Sequence, residues 1–198
     1  MKRFLTALVS CAALSTLASA PAYAADANKS LKMAYDADPV TLDIHEQLSG
    51  GTLQLSHMVF DPLIRWTKDL EFEPRLAKSW ERVDDNTMRF TLREGVKFHS
   101  GNTLTTEDVK FTYERLKKSQ DFKAIFKPFT ELRVIDDTTF ELVTAEPYPL
   151  VLNAATYIFP MDKAFYTGKD DNGDDKAAIS KQGSTFASRN QSGTGPFK

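Results

Sequence analysis

EPRLAKSWERVDDNTMRFTLREGVKFHSGNTLTTEDVKFTYERL, residues 73–116, decides the fold of this 198-residue chain, because its apolar residues change period within it. Trp80 to Val83 and Met88 to Leu92 alternate on either side of Asp84-Asp85-Asn86, with Met88, Phe90 and Leu92 on one face, which predicts a β-hairpin. From Thr105 the spacing turns helical. Val109, Thr112, Tyr113 and Leu116 stand at i, i+3, i+4 and i+7, behind an N-cap threonine with Asp108 three residues on. Downstream, Leu132 and Val134, a turn at Asp136-Asp137, then Phe140 and Leu142 predict a second hairpin. Upstream, Thr52 to Phe60 carries Leu55, Met58 and Val59 at helical spacing until Pro62 stops it. Before that, Leu31, Met33 and Tyr35 alternate as a first strand. Strands and helices mixed in this order give an α/β or α+β body with antiparallel hairpins.

The N-terminus reads as an export signal. Lys2 and Arg3 form a positive start, Phe4 to Ala20 is a run of apolar and small residues, and Ala22-Tyr23-Ala24 offers the small, spaced side chains a signal peptidase accepts. Cleavage after Ala24 is expected, leaving a periplasmic protein. The run is shorter than the ~20 strongly apolar residues a membrane helix needs. Leu8-Val9-Ser10-Cys11 has the form of a lipid-attachment box, but its cysteine lies inside the apolar run, so anchoring there is the minor alternative. Cys11 is the only cysteine, so the remainder must hold together by its core rather than by disulfides. A net charge of −2 for the whole chain leaves no basic footprint for nucleic acid and fits a soluble monomer.

The residues that support catalysis or metal binding are not arranged for it. No Gly-x-Ser-x-Gly elbow, HExxH pair, GxxxxGKS or GxGxxG cradle occurs. Glu107-Asp108 and Asp136-Asp137 sit where a helix start and a hairpin turn favour carboxylates anyway. The run DDNGDD at 170–175 fails as a calcium loop, since aligning Gly173 with the sixth position puts Gly168 at the first and Ile179 at the twelfth; it reads as a solvated surface loop. Lys181 to Ser192 reads as a connector. His45, His57 and His99 have no ligand spacing; His99 is expected to be structural, and His45 lies in a segment expected near a cleft. The expectation is no cofactor, no metal and no enzymatic activity.

Three blocks, EPRLAKSW at 73–80, FTLREGVKFHSG at 90–101 and LTTEDVKFTYERL at 104–116, with GTGPF at 193–197 following in order, closely resemble the family 5 extracellular solute-binding proteins. These are capture subunits of ABC importers for dipeptides, oligopeptides and other solutes. The resemblance implies a periplasmic-binding-protein-like fold of type II. Residues 26–60 and 181–198 would belong to lobe I, residues 61–180 would form a β-rich subdomain inserted in it, and the second lobe would be missing from this fragment. It also implies a peptide or other small-molecule ligand and permease subunits at the inner membrane as partners. Two further classes stay open, a ligand-binding accessory to a chemoreceptor and a truncated fragment without function.

The segment DIHEQLSGGT, 43–52, is the candidate for ligand contact. Paired glycines ahead of a helix let a ligand approach the backbone and leave amides for a carboxylate or peptide carbonyl, although a plain strand-to-helix turn has the same sequence. The resemblance places Gln47, Ser49, Gly50, Gly51 and Thr52 along the cleft, with one glycine more than the family's Ser-Gly-Thr stretch, and sets Gly193 and Thr194 near the hinge and cleft wall. Trp66 is a candidate for stacking on a ligand, whereas Trp80 belongs to the EPRLAKSW block and is expected in the core.

Overall fold

The computed structural model describes Ala34, residues 39–180 and residues 184–198. The expected signal peptide at 1–24, the strand read from Leu31, Met33 and Tyr35, and Lys181 at the start of the connector lie outside the described residues. Two units separate along the chain, Met1–Asp36 and Ala37–Lys198, and the helices and strands of the described residues lie in the second.

The order of elements is α1 (Gly50–Val59), β1 (Ile64–Trp66), β2 (Phe72–Pro74), β3 (Ala77–Asp84), β4 (Thr87–Leu92), α2 (Thr106–Lys118), β5 (Phe129–Val134), β6 (Thr139–Thr144), α3 (Val151–Ala155) and α4 (Lys163–Tyr166). Both expected hairpins form, and they join through β4 and β6 into a four-stranded antiparallel sheet of order β3-β4-β6-β5. Phe90 pairs with Phe140 across that junction, their rings stacked at 5.3 Å, while Met88, Leu92, Leu132 and Leu142 extend the buried face. On the other face opposite charges meet at paired positions: Glu81, Arg89, Glu141 and Arg133 form a row across all four strands. Such cross-strand pairs help to fix register.

Helix α2 packs against β5 through Val109, Tyr113 and Leu116, all buried. It begins as its sequence requires, the Asp108 carboxylate accepting from the Thr105 backbone N–H at 2.8 Å. The short ribbon β1–β2, with Ile64 opposite Pro74 and Trp66 opposite Phe72, has no counterpart in the sequence reading.

The core is divided. One apolar cluster gathers residues between Leu63 and Ile158 around the sheet and α2. The second comprises Ile44, Phe60, Phe159, Met161, Tyr166 and Ala187. Main-chain bonds tie segments of the first cluster together: Leu63 N–H donates to Ile158 O at 2.9 Å, and Arg75 and Ala77 N–H both donate to Leu63 O. Trp80 is partly buried against the first cluster, as expected. Helix α1 departs from its expected apolar face. Its buried residues are Thr52 and Ser56, with Leu53 and Val59 partly buried against the second cluster, because main chain rather than a bulky side chain lies over its C-terminal end.

Candidate functional site

Helix α1 starts two residues earlier than its apolar spacing indicates. Ser49 is its N-cap, accepting from Thr52 N–H at 3.3 Å and donating its hydroxyl to Thr52 Oγ1 at 2.9 Å. Gly50 and Gly51 are therefore the first residues of the helix, not a loop ahead of it. Gly50 is exposed, with nothing within 4 Å of where a Cβ would stand. Gln47 and Ser49 are half-buried and Thr52 is buried. Amides of a first helical turn have no partner inside the helix, so this corner keeps donors for a ligand's carbonyl or carboxylate.

The GTGPF segment binds the opposite end of the same helix. Gly195 N–H donates to Val59 O at 2.9 Å and Phe197 N–H to Met58 O at 3.1 Å. At Gly193 a Cβ would fall 1.9 Å from Val59 O, so this approach requires glycine. His99 clamps the segment: its backbone N–H donates to Gly193 O, its Nδ1 accepts from Gly193 N–H, and its Nε2 donates to Gly195 O at 2.8 Å. Ser100, Asn102 and Ser192 all donate side-chain bonds to the buried carboxylate of Asp162. The blocks FHSG and GTGPF thus touch each other, which is a physical reason for them to occur together. Ser49–Thr52 and Gly193–Thr194 are not brought together; they stand at the two ends of α1, about 15 Å apart for ten helical residues.

A cleft of about 380 Å³ opens between α1, β1 and the segment after α3. Leu53 and His57 supply the helix side, Trp66 the ribbon side, and Tyr157 and Phe159 the third. It lies over the boundary between the two apolar clusters. Arg75 donates to Asp61 Oδ1 at 2.9 Å, and Thr194 Oγ1 donates to Asp61 Oδ2 at 3.2 Å. Of the ligand-contact residues expected from the resemblance, Thr194 is therefore the one held at the edge of this cleft. Arg65 is bonded through Nε to Glu73. His57 meets Phe159 edge-on at 5.0 Å; burial and Arg65, then Arg75, hold its pKa below the ordinary histidine value against the pull of Asp61. Trp66 lies on Phe72 at 3.9 Å and remains 41% exposed. Of the residues that line the cleft only Trp66 was marked by the sequence. His57, Asp61, Arg75, Tyr157 and Phe159 carried no signal, since they converge from separate segments.

His45 does not face a cleft. It is fully buried beside the ion pair of Asp43 with Arg115, whose two bonds measure 2.7 and 2.6 Å. Arg115 also donates to the carbonyls of Ala177 and Ala178 and approaches His45 Nδ1 at 3.1 Å. Burial, reinforced by Arg115, pushes the His45 pKa down to about 3. Burial alone would raise that of Asp43, but the Arg115 hydrogen bonds and charge outweigh it and the net shift is downward. The segment Thr41 to Glu46 is thereby pinned under α2, with Ser119 Oγ donating to His45 O at 2.6 Å. Among the described residues no cluster of His, Cys, Asp or Glu could hold a metal ion, and no helix is long and apolar enough to cross a membrane. The 170–175 run is a tight turn in which Asp170 Oδ1 accepts from the backbone of Asn172 and Asp174.

Residues 71–198 match the family described as bacterial extracellular solute-binding proteins, family 5 Middle. The chain belongs to that family. The probable D,D-dipeptide-binding periplasmic protein of Escherichia coli strain K12 is 27% identical over 188 residues, covering 89% of this chain and 34% of that protein. Two solved structures share the fold of the family 5 chain. The binding protein AgaA in complex with agropinic acid, from Agrobacterium tumefaciens R10, has a TM-score of 0.65 at 24% identity over 81% of this chain and 31% of its own. The binding protein DppA from Helicobacter pylori in complex with the peptide STSA has a TM-score of 0.64 at 23% identity over 80% of this chain and 34% of its own. The family 5 chain thus has the mixed α/β fold of type II periplasmic binding proteins and spans about a third of the length of these relatives.

Proposed function

We propose that the chain is the N-terminal part of a periplasmic solute-binding component of an ABC importer, which captures peptides and hands them to a permease at the inner membrane. The observation that carries this reading is the cleft over the boundary between the two apolar clusters, in a chain whose family consists of solute-binding proteins. Boundaries between packed units are where small-ligand clefts form. Residues 26–60 and 181–198 form lobe I, and 61–180 form the subdomain inserted in it. The amides at Gly50 and Gly51, with Gln47, Ser49 and Thr52 beside them, hold peptide main chain, while Gly193 and Thr194 shape the wall near the hinge. A second lobe, encoded beyond Lys198, closes over the ligand. The protein changes nothing chemically in its guest, acts as a monomer and uses no cofactor.

Isothermal calorimetry of the full-length protein with di-, tri- and pentapeptides tests the assignment, and a panel that yields no heat at all rejects it. Export is tested separately by fractionation and mass measurement. A periplasmic product beginning at Ala25 is expected, and a chain that retains residues 1–24 in the cytoplasm removes that part of the proposal.

A further inference from the structure

The chemistry of the cleft beside α1 narrows what part of a ligand it can accept. Its aromatic and apolar surface comes from three directions, with Leu53 and His57 on the helix, Trp66 on the ribbon, and Tyr157 and Phe159 beyond α3. The formal charges around it are already matched. Arg75 is bonded to Asp61 at 2.9 Å, Asp61 is held in turn by Thr194, and Arg65 is bonded to Glu73. A charged guest gains less here than an uncharged one, because each of these charges already has an opposite partner. His57 adds no charge at neutral pH, since burial and the two arginines keep its pKa low.

Phe72 covers part of the Trp66 indole at 3.9 Å but is not among the residues that line the cleft, so the surface that Trp66 turns to the cleft is open. Rings prefer edge-to-face or offset contact with such a surface, and paired guanidinium groups can still stack on an aromatic face. The volume, about 380 Å³, is at the small end for a ligand site. That suits one ring and its adjoining backbone better than a whole peptide.

We propose that this cleft is a specificity pocket for an uncharged aromatic side chain of the ligand, received between Trp66, Tyr157 and His57. The inference rests on the peptide-binding reading and adds a preference to it.

The test is calorimetry of the full-length protein with Ala-X-Ala tripeptides in which X is Phe, Trp, Ala, Glu or Lys. Phe and Trp are expected to bind roughly tenfold tighter than the other three, and Trp66→Ala should reduce that ratio to within about twofold. A 5-fluorotryptophan label at Trp66, assigned by its loss in Trp66→Phe, should shift its fluorine resonance with Ala-Phe-Ala and not with Ala-Ala-Ala. Thermal melts of both variants confirm that they fold; if Trp66→Ala does not, Tyr157→Ala takes its place. Equal affinity for all five peptides, or a preference that survives in the folded variant, overturns the pocket while leaving peptide capture intact. Should no peptide bind, the peptide reading falls, and N-acetylphenylalaninamide alone then decides the cleft through the same fluorine signal, an unchanged resonance ending the proposal.

Discussion

Arg115 fixes the buried Asp43–His45 segment, because it satisfies the Asp43 carboxylate and two loop carbonyls from a position only 3% exposed. Removing one partner of a buried pair leaves the other charge uncompensated. Arg115→Ala is therefore expected to cost about 3–5 kcal/mol, read as a lower urea midpoint. The same cluster sets a pH dependence. Asp43 has a depressed folded pKa, so its contribution is present above the unfolded carboxylate value and is lost as pH falls through the folded one. His45 titrates near 6.5 when unfolded but only at about 3 when folded, so between those values the unfolded chain binds more protons. Its contribution therefore climbs with pH across that window, by up to about 1.4 kcal/mol per pH unit, and is level above it. His45→Asn, which keeps an acceptor for Arg115, should flatten the slope between pH 4 and 6 in denaturation curves. An unchanged slope would show that His45 carries the same charge in both states, its folded pKa not depressed.

At the scale of elements, the two hairpins and α2 were legible because their signals are local. Alternation, turn residues and a capping carboxylate each lie within a few positions. The joining of β4 to β6 was not legible, since nothing in either hairpin names the other, and β1 and β2 are too short for alternation to register. The start of α1 was missed for another reason: Gly50 and Gly51 are poor helix formers, held in the first turn by the Ser49 cap. These glycines and those of GTGPF have opposite roles in stability. Gly193→Ala would drive a methyl into the Val59 carbonyl and is expected to cost about 3 kcal/mol. Gly50→Ala meets open space and should be neutral or stabilising by up to about 1 kcal/mol. Paired thermal melts of the two variants check both predictions, and equal effects would contradict the clasp at the end of α1.

For the molecule as a whole, four short blocks made the family legible, yet most of the candidate cleft was invisible. Asp61 and Arg75 are 14 positions apart, and Asp61 and Thr194 are 133 apart, so no spacing rule links them. Trp66 could be singled out only as an aromatic residue without an evident place in the core. If the complete protein binds a peptide at about 8 kcal/mol and this chain supplies half of the contacts, the 198-residue chain alone should bind at about millimolar or weaker. Nuclear magnetic resonance titration of that chain measures it, and a dissociation constant below roughly 10 μM would mean that a second wall is not needed.

The grip of residues 193–197 on the end of α1 also orders events in time. A polypeptide that emerges from its N-terminus delivers Asp61 long before Thr194, and at ribosomal speeds the wait for 133 further residues is on the order of ten seconds. During that interval the Met58 and Val59 carbonyls lack the amides that later cover them, and the ring of Phe60 lacks part of its cover. This corner therefore closes only after both hairpins and α2 have been delivered.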